Sequence, residues 1–215
     1  IIKCKFRYIL KTMKQYKHYI DGEWVDSCVK NQKITVLNPA NEEVIGEITT
    51  GVEEDINKAV EAAKQAYSSR VLVDMNPMER AKLMRGIAEE LRKISKEGGA
   101  LLCAENGKLL PSSINEFIEA ANYFDYYSGL TDKIEGQTIP VNSQVMDYTV
   151  YEPYGVSGHI VPWNFPISMV ARSLACSFAA GNSTVIKPAE LTPLATHSFF
   201  AQAIHNAGVP AGLIN

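Results

Sequence analysis

The chain has 215 residues, 46% of them hydrophobic, and a formal charge of −3, a composition that excludes an intrinsically disordered protein and leaves one large domain or two small ones. The charge is uneven, because residues 1–18 hold six of the 21 Lys and Arg and no acid, leaving 15 bases against 24 acids in the remainder; nucleic acid is therefore not an expected partner. No apolar run reaches the roughly eighteen residues of a membrane span, the basic start lacks the apolar core of a signal peptide, and Cys4, Cys28, Cys103 and Cys176 show neither metal-ligand spacing nor the density of a disulfide framework, so a cytoplasmic protein with no metal site and no membrane partner is expected.

Tyr19-Ile20 and Glu23-Trp24-Val25 flank Asp21-Gly22, a hairpin signal because both central positions of a primed turn need positive φ. Lys33 to Leu37 and Val44 to Ile48 are predicted strands around an Asn38-Pro39 turn. The chain thus opens with a small β region. From Val52 to Ser68, Ile56, Ala59, Val60, Ala63 and Tyr67 keep helical spacing behind an acidic first turn. Asn76, Pro77 and Glu79 supply a cap, a first-turn proline and a box-like glutamate for a second helix carrying Leu83, Ile87, Leu91 and Ile94. A third helix, from about Ser113 to Leu130, places Ile114, Phe117, Ala121 and Phe124 on one face, an aromatic stripe read as core. Residues 136–152 read as an extended arm whose alternation at Val145, Asp147 and Thr149 is too loose to define a buried face.

Val156 to Val161 is a short apolar run between Gly155 and Pro162, which predicts a strand buried on both faces. Pro162 and Pro166 then restrict the residues between them, Asn164 included. Ile167 to Ala180 is apolar apart from Arg172 and a few small polar residues, too long for a strand, and is followed by Gly181-Asn182, which predicts a buried helix with its stop. Thr184 to Ile186 is a second strand, Leu194 to Ala207 a further helix ended by Gly208, and Leu213-Ile214-Asn215 the lead into a third strand. Strand, helix and strand within about thirty residues form a βαβ unit, whose parallel strands gather ligands at their carboxyl ends. Asn164 follows the first strand, and Lys187 and Glu190 follow the second.

Each of these residues has two readings. Asn164 carries two N–H donors on a short side chain, which suits a developing oxyanion; asparagine is equally a common turn residue. Lys187 and Glu190 form by default a solvated pair worth little, whereas at the carboxyl end of a strand Glu190 can accept from ribose hydroxyls while Lys187 donates. A carboxylate there repels a 2′-phosphate. Cys176, among Leu174, Ala175 and Phe178 on the apolar helix, is read as buried and inert, and Cys103 beside Leu102 as core.

The Pro162-Trp163-Asn164-Phe165-Pro166 loop, followed after one helix by Lys187-Pro188-Ala189-Glu190 and Thr192-Pro193, resembles the aldehyde dehydrogenase superfamily. The likeness runs from about Tyr16 to Asn215. It implies an α/β fold: the first half of a Rossmann-like parallel-sheet dinucleotide-binding domain over residues 13–135 and 153–215, with an N-terminal β region and a projecting hairpin at 136–152 that carries subunit contacts in a homo-oligomer. It also implies NAD as cofactor, with NADP as the alternative, held by Ile160, Val161, Pro162, Trp163, Lys187 and Glu190, and Asn164 as the oxyanion donor in the oxidation of an aldehyde through a cysteine thiohemiacetal. None of the four cysteines suits the nucleophile, which with its general-base glutamate belongs in the family to segments beyond Asn215.

The likeness begins near Met13, so residues 1–12 read either as non-native sequence or as a basic extension. Taken alone the chain is expected to be inactive and prone to aggregate, since an unfinished parallel sheet leaves an open edge. Two other readings stand beside this one: a non-catalytic nucleotide-binding or interaction module, and the branch of the superfamily that passes the acyl group to coenzyme A.

Overall fold

The computed structural model describes residues 15–29 and 32–215; the reading of residues 1–12 and that of Cys4 lie outside them. Strands β1 (Gln15–Tyr16), β4 (Lys33–Leu37) and β5 (Val44–Thr49) form one sheet in the order β1-β5-β4, and β2 (His18–Ile20) pairs with β3 (Glu23–Val25). The β2–β3 turn is the primed type expected, with Asp21 at φ 53° and Gly22 at φ 80°.

Helices α1 (Glu53–Ser68), α2 (Pro77–Asn106) and α3 (Leu110–Ser128) follow. The Asn76 side chain accepts from Met78 N–H at 2.9 Å, which fixes the start of α2 at Pro77. Gly107, at φ 79°, ends that helix in the left-handed conformation. Leu109 and Pro111 start α3 three residues before the predicted Ser113. Strands β6 (Thr138–Asn142) and β7 (Val145–Tyr148) make a two-stranded arm in which every residue is exposed.

The βαβ unit is β8 (Val156–Ile160), α4 (Pro166–Ala179) and β9 (Ser183–Lys187), with β8 and β9 parallel and Ile160 opposite Lys187. Residues 213–215 join the free edge of β9: Thr184 N–H donates to Leu213 O at 2.8 Å and Ile186 N–H to Asn215 O at 2.8 Å. The expected third strand therefore begins here. The segment from Leu194 to Asn206 is helical as expected, but its centre, Thr196–Phe200, is wound as a π-helix before α5 (Ala201–Asn206), a local widening that residue spacing does not announce.

Helices α2, α3 and α4 pack side by side, and both α4 and α1 lie against the β8–β9 pair. Phe117, Phe124, Phe178 and Phe200 are fully buried where these helices meet. No described helix is long and apolar enough to cross a membrane.

Two expectations need correction. Strand β8 is not buried on both faces, since Ile160 is 85% exposed and Gly158 is open; among the described residues β8 is paired along β9 alone, and Gly158 and Ile160 border a cavity. Cys176 is exposed, not buried. It lies one turn beyond exposed Arg172, on the narrow stripe of α4 that faces away from the core. Cys103 is half-buried, and that burial pushes its thiol pKa up.

Candidate functional site

The parallel register brings two loops to one end of the sheet. Residues 161–165 leave the carboxyl end of β8 and residues 188–192 leave that of β9, so Asn164, Lys187 and Glu190 stand at the same edge. The Asn164 side chain is exposed, and among the described residues its amide has no hydrogen-bond partner. Lys187 Nζ donates to Glu190 Oε2 at 2.9 Å, with both side chains more than half exposed. That bond to Lys187 lowers the Glu190 carboxyl pKa. The pair is pre-arranged but solvated, so its worth lies in where it holds its polar atoms rather than in stability.

A cavity of about 670 Å³ opens beside the pair, lined among others by Ile160, Ile186, Lys187, Glu190, Thr196 and His197. Thr196 contributes to the cavity wall, and its hydroxyl oxygen is buried beneath that wall with no partner among the described residues. Ile160, Lys187 and Glu190 thus share one space. Val161 turns into the core at 7% exposure, while Pro162 and Trp163 lie exposed outside the lining.

Side chains that the sequence reading passed over hold the Asn164 loop. Asn106 Nδ2 donates to Trp163 O at 2.8 Å and Thr192 Oγ1 to the same oxygen at 3.2 Å. Lys108 Nζ donates to Asn164 O at 2.8 Å and to Glu116 Oε2 at 2.5 Å, and it stands 4.3 Å from the centre of the Phe165 ring. Glu116 in turn accepts from Ile167 and Ser168 N–H at 2.9 and 3.2 Å, at the start of α4. One signal was available: Glu116 falls on the apolar stripe of α3 with Phe117, Ala120 and Phe124, where an unpartnered carboxylate would be costly.

The second loop is held in the same manner. Glu105, at the end of α2 and 3% exposed, accepts from Leu194 and Ala195 N–H at 2.7 and 3.0 Å. Burial pushes its carboxyl pKa up to about 8, against the pull of those two amides. Each site loop thus leads into a helix whose first amides are capped by a buried glutamate from the α2–α3 pair.

Cys28 is half-buried, with Lys58 Nζ 2.8 Å from its sulfur, and its hydrogen bond with Asp55 raises the thiol pKa. Among the described residues no group of three His, Cys, Asp or Glu is disposed to hold a metal ion.

Comparison with known proteins places this edge in context. Residues 24–215 match the model of the aldehyde dehydrogenase family. The chain is 38% identical over 200 residues to betaine aldehyde dehydrogenase of Bacillus subtilis, covering 92% of this chain and 40% of the relative. It is 37% identical over 201 residues to human aldehyde dehydrogenase 1A1, covering 93% and 40%. The solved NAD⁺ complex of an aldehyde dehydrogenase from Bacillus cereus superposes with a TM-score of 0.91 at 35% identity, covering 98% of this chain and 42% of that one. The chain thus spans about 40% of the length of the curated relatives it matches. With the family model matched over most of its length and the fold reproduced at that score, the chain belongs to the aldehyde dehydrogenase family.

Proposed function

We propose that the chain is the N-terminal part of an NAD⁺-dependent aldehyde dehydrogenase, an oxidoreductase that converts an aldehyde to a carboxylic acid, with nucleophile and general base supplied by sequence beyond Asn215. Residues 13–135 and 153–215 belong to its dinucleotide-binding domain, and the arm at 136–152 mediates homo-oligomer contacts. The observation that carries the reading is the open Asn164 amide at the same sheet edge as the Lys187–Glu190 pair. An oxyanion donor on one loop and an adenosine-ribose clamp on the next suit an extended dinucleotide lying along that edge, with its ribose held at the second loop and its nicotinamide end reaching the aldehyde carbon.

The residues fit a dinucleotide. Glu190 accepts from ribose hydroxyls and Lys187 donates to them, Ile160 and the Trp163 ring offer exposed apolar surface, and a cavity of about 670 Å³ lies beside the pair. Bound there, the cofactor supplies hydride acceptance. Asn164 donates N–H to the aldehyde oxygen as a nucleophile adds at carbon, and it holds the negative charge that develops there. The Glu190 carboxylate disfavours a 2′-phosphate, so NAD⁺ is preferred, with NADP⁺ the alternative.

The test uses the full-length protein, by following aldehyde-dependent NADH formation. Turnover is expected, and Asn164→Ala is expected to lower kcat by roughly 10²–10³, the scale for one lost oxyanion donor. Absence of turnover with a panel of aldehydes and either nucleotide, or an unchanged kcat in the variant with chemistry rate-limiting, overturns the reading.

A further inference from the structure

We propose that Lys108 and Glu116 are positioning residues for Asn164, forming a buried relay that fixes the direction of its amide from outside the site. This rests on the oxyanion role given to Asn164 above. The Lys108 side chain is 15% exposed and that of Glu116 only 1%, so the pair is sheltered from water and from salt screening. A pair so placed is a poor source of stability, because desolvation offsets much of its attraction, but it specifies geometry.

That geometry converges on the loop from both ends. Lys108 binds the Asn164 carbonyl and lies over the Phe165 ring, which constrains the peptide on the C-terminal side of Asn164. Glu116 binds the amides of Ile167 and Ser168, the first two in α4, since Pro166 has none. Between these anchors Phe165 O accepts from Met169 N–H at 2.9 Å. Asn106 and Thr192 fix the carbonyl of Trp163 immediately before it. The side chain of Asn164 is left free, while its backbone is tied on either side.

Asparagine has only two side-chain torsions, so once its backbone is fixed its amide sweeps a small volume. A donor misplaced by an ångström can cost on the order of 10² in rate. The relay also explains why a carboxylate occupies an apolar stripe on α3. Replacing Lys108 leaves Glu116 buried without its ion partner and the Asn164 carbonyl without its donor, and either loss lets the loop move.

The experiment compares Lys108→Met, Lys108→Arg, Asn164→Ala and the double variant Lys108→Met/Asn164→Ala in the full-length protein. Two readouts are taken: steady-state kinetics, and amide hydrogen exchange over residues 162–168. For Lys108→Met, exchange in that segment is expected to rise at least tenfold while the β8–β9 ladder is unchanged. Its kcat is expected to fall about tenfold or more with the KM for NAD⁺ within twofold of wild type, Lys108→Arg recovering part of the loss. The double variant should be no slower than Asn164→Ala alone, because both remove one donor's placement. Rate losses that multiply in the double variant, or exchange unchanged in Lys108→Met, overturn the proposal. Should Lys108→Met not fold, Glu116→Gln, which retains an acceptor for Ile167 and Ser168, is read in its place against the same outcomes. A wild-type protein that oxidises no aldehyde refutes the function proposed above, and with it the catalytic purpose of the relay, while the exchange measurement still decides whether the relay anchors the loop.

Discussion

Val161 donates its backbone N–H to the carbonyl of Lys187 across 3.2 Å, one residue beyond the last strand pair, Ile160 opposite Lys187. That bond closes the parallel ladder where both strands leave the sheet. Asn164 and Glu190 each lie three residues past it, so their separation is set by the register of the ladder and by two short loops. A slip of one residue would turn every side chain of one strand to the opposite face and carry its loop with it. The buried Thr184, the paired Ser157 and Ser177 hydroxyls at 2.7 Å, and the Asn182 side chain that accepts from Gly155 N–H at 3.0 Å pin that register at the other end.

Cofactor choice is predicted to rest on Glu190. Its carboxylate both accepts from hydroxyls and repels an added phosphate, and Glu190→Gln keeps an acceptor while removing the charge. The ratio of NADP⁺ to NAD⁺ dissociation constants is expected to fall by roughly tenfold or more, about 1.4 kcal/mol, in line with hydrogen bonds to charged groups. Titration calorimetry of both nucleotides on the full-length variant measures it. A ratio equal to that of wild type would remove Glu190 from the ribose site.

Much of this edge was legible in the sequence because it is built from local chemistry. The two prolines around Asn164, Asp21-Gly22 in its turn, and the Asn76-Pro77 helix start are features whose backbone consequences follow from the residues themselves. What was not legible depends on distant partners. Lys108 and Glu116 acquire a purpose only when α3 lies against α4, a meeting of segments about fifty residues apart that no periodicity encodes. The exposure of Cys176 was missed for a related reason: on a helix as apolar as α4, hydropathy shows that most faces are buried but not which stripe escapes, and only Arg172 one turn earlier marked it. The solvent-facing side of β8 was misjudged because an apolar run reports what a residue tolerates, whereas exposure depends on what is packed against it.

Arg80 is predicted to be the side chain whose loss costs most stability near the βαβ unit. It is 7% exposed and donates to the carbonyls of Ala179 and Leu72, both at 2.9 Å, closing the C-terminal end of α4 where carbonyls lack helical partners. Arg80→Leu leaves two buried acceptors unpaired, a loss of roughly 2–4 kcal/mol. Exposed Arg85, with one long contact to Ser128 at 3.4 Å, should tolerate the same change within about 0.5 kcal/mol. Urea midpoints of the two variants compare them directly, and equal shifts would contradict the assignment.

The arm supplies a prediction about assembly. Val141, Met146 and Tyr148 are 56%, 81% and 62% exposed on a two-stranded ribbon of a kind that is marginal alone in water. Apolar side chains concentrated on such a ribbon are the composition of a contact surface. In the full-length protein, Val141→Lys with Met146→Lys is expected to reduce the assembly mass measured by light scattering while leaving the monomer folded. An unchanged mass would remove the arm from subunit assembly.

Acid–base behaviour yields the last prediction, because the buried Glu105 carboxyl and the half-buried His197 imidazole displace stability in opposite senses over overlapping pH windows. Burial raises the Glu105 carboxyl from its ordinary 4.5 to about 8, so between those values the native state keeps a proton that the unfolded chain has released. Stability therefore falls as pH rises through this window and levels off above it. His197 acts in the opposite sense: desolvation lowers its imidazole from 6.5 to about 4, so the stability it supplies is present above about 6.5 and is lost as pH falls toward 4. From pH about 6.5 to 8 only the Glu105 contribution slopes. Glu105→Gln retains an acceptor for the Leu194 and Ala195 amides but does not titrate, so its urea midpoint should be flat across that interval, while below about 6.5 the decline due to His197 is no longer offset by Glu105. A slope between pH 6.5 and 8 as steep in the variant as in wild type would assign the titration to a different group and leave Glu105 ionised in the folded protein.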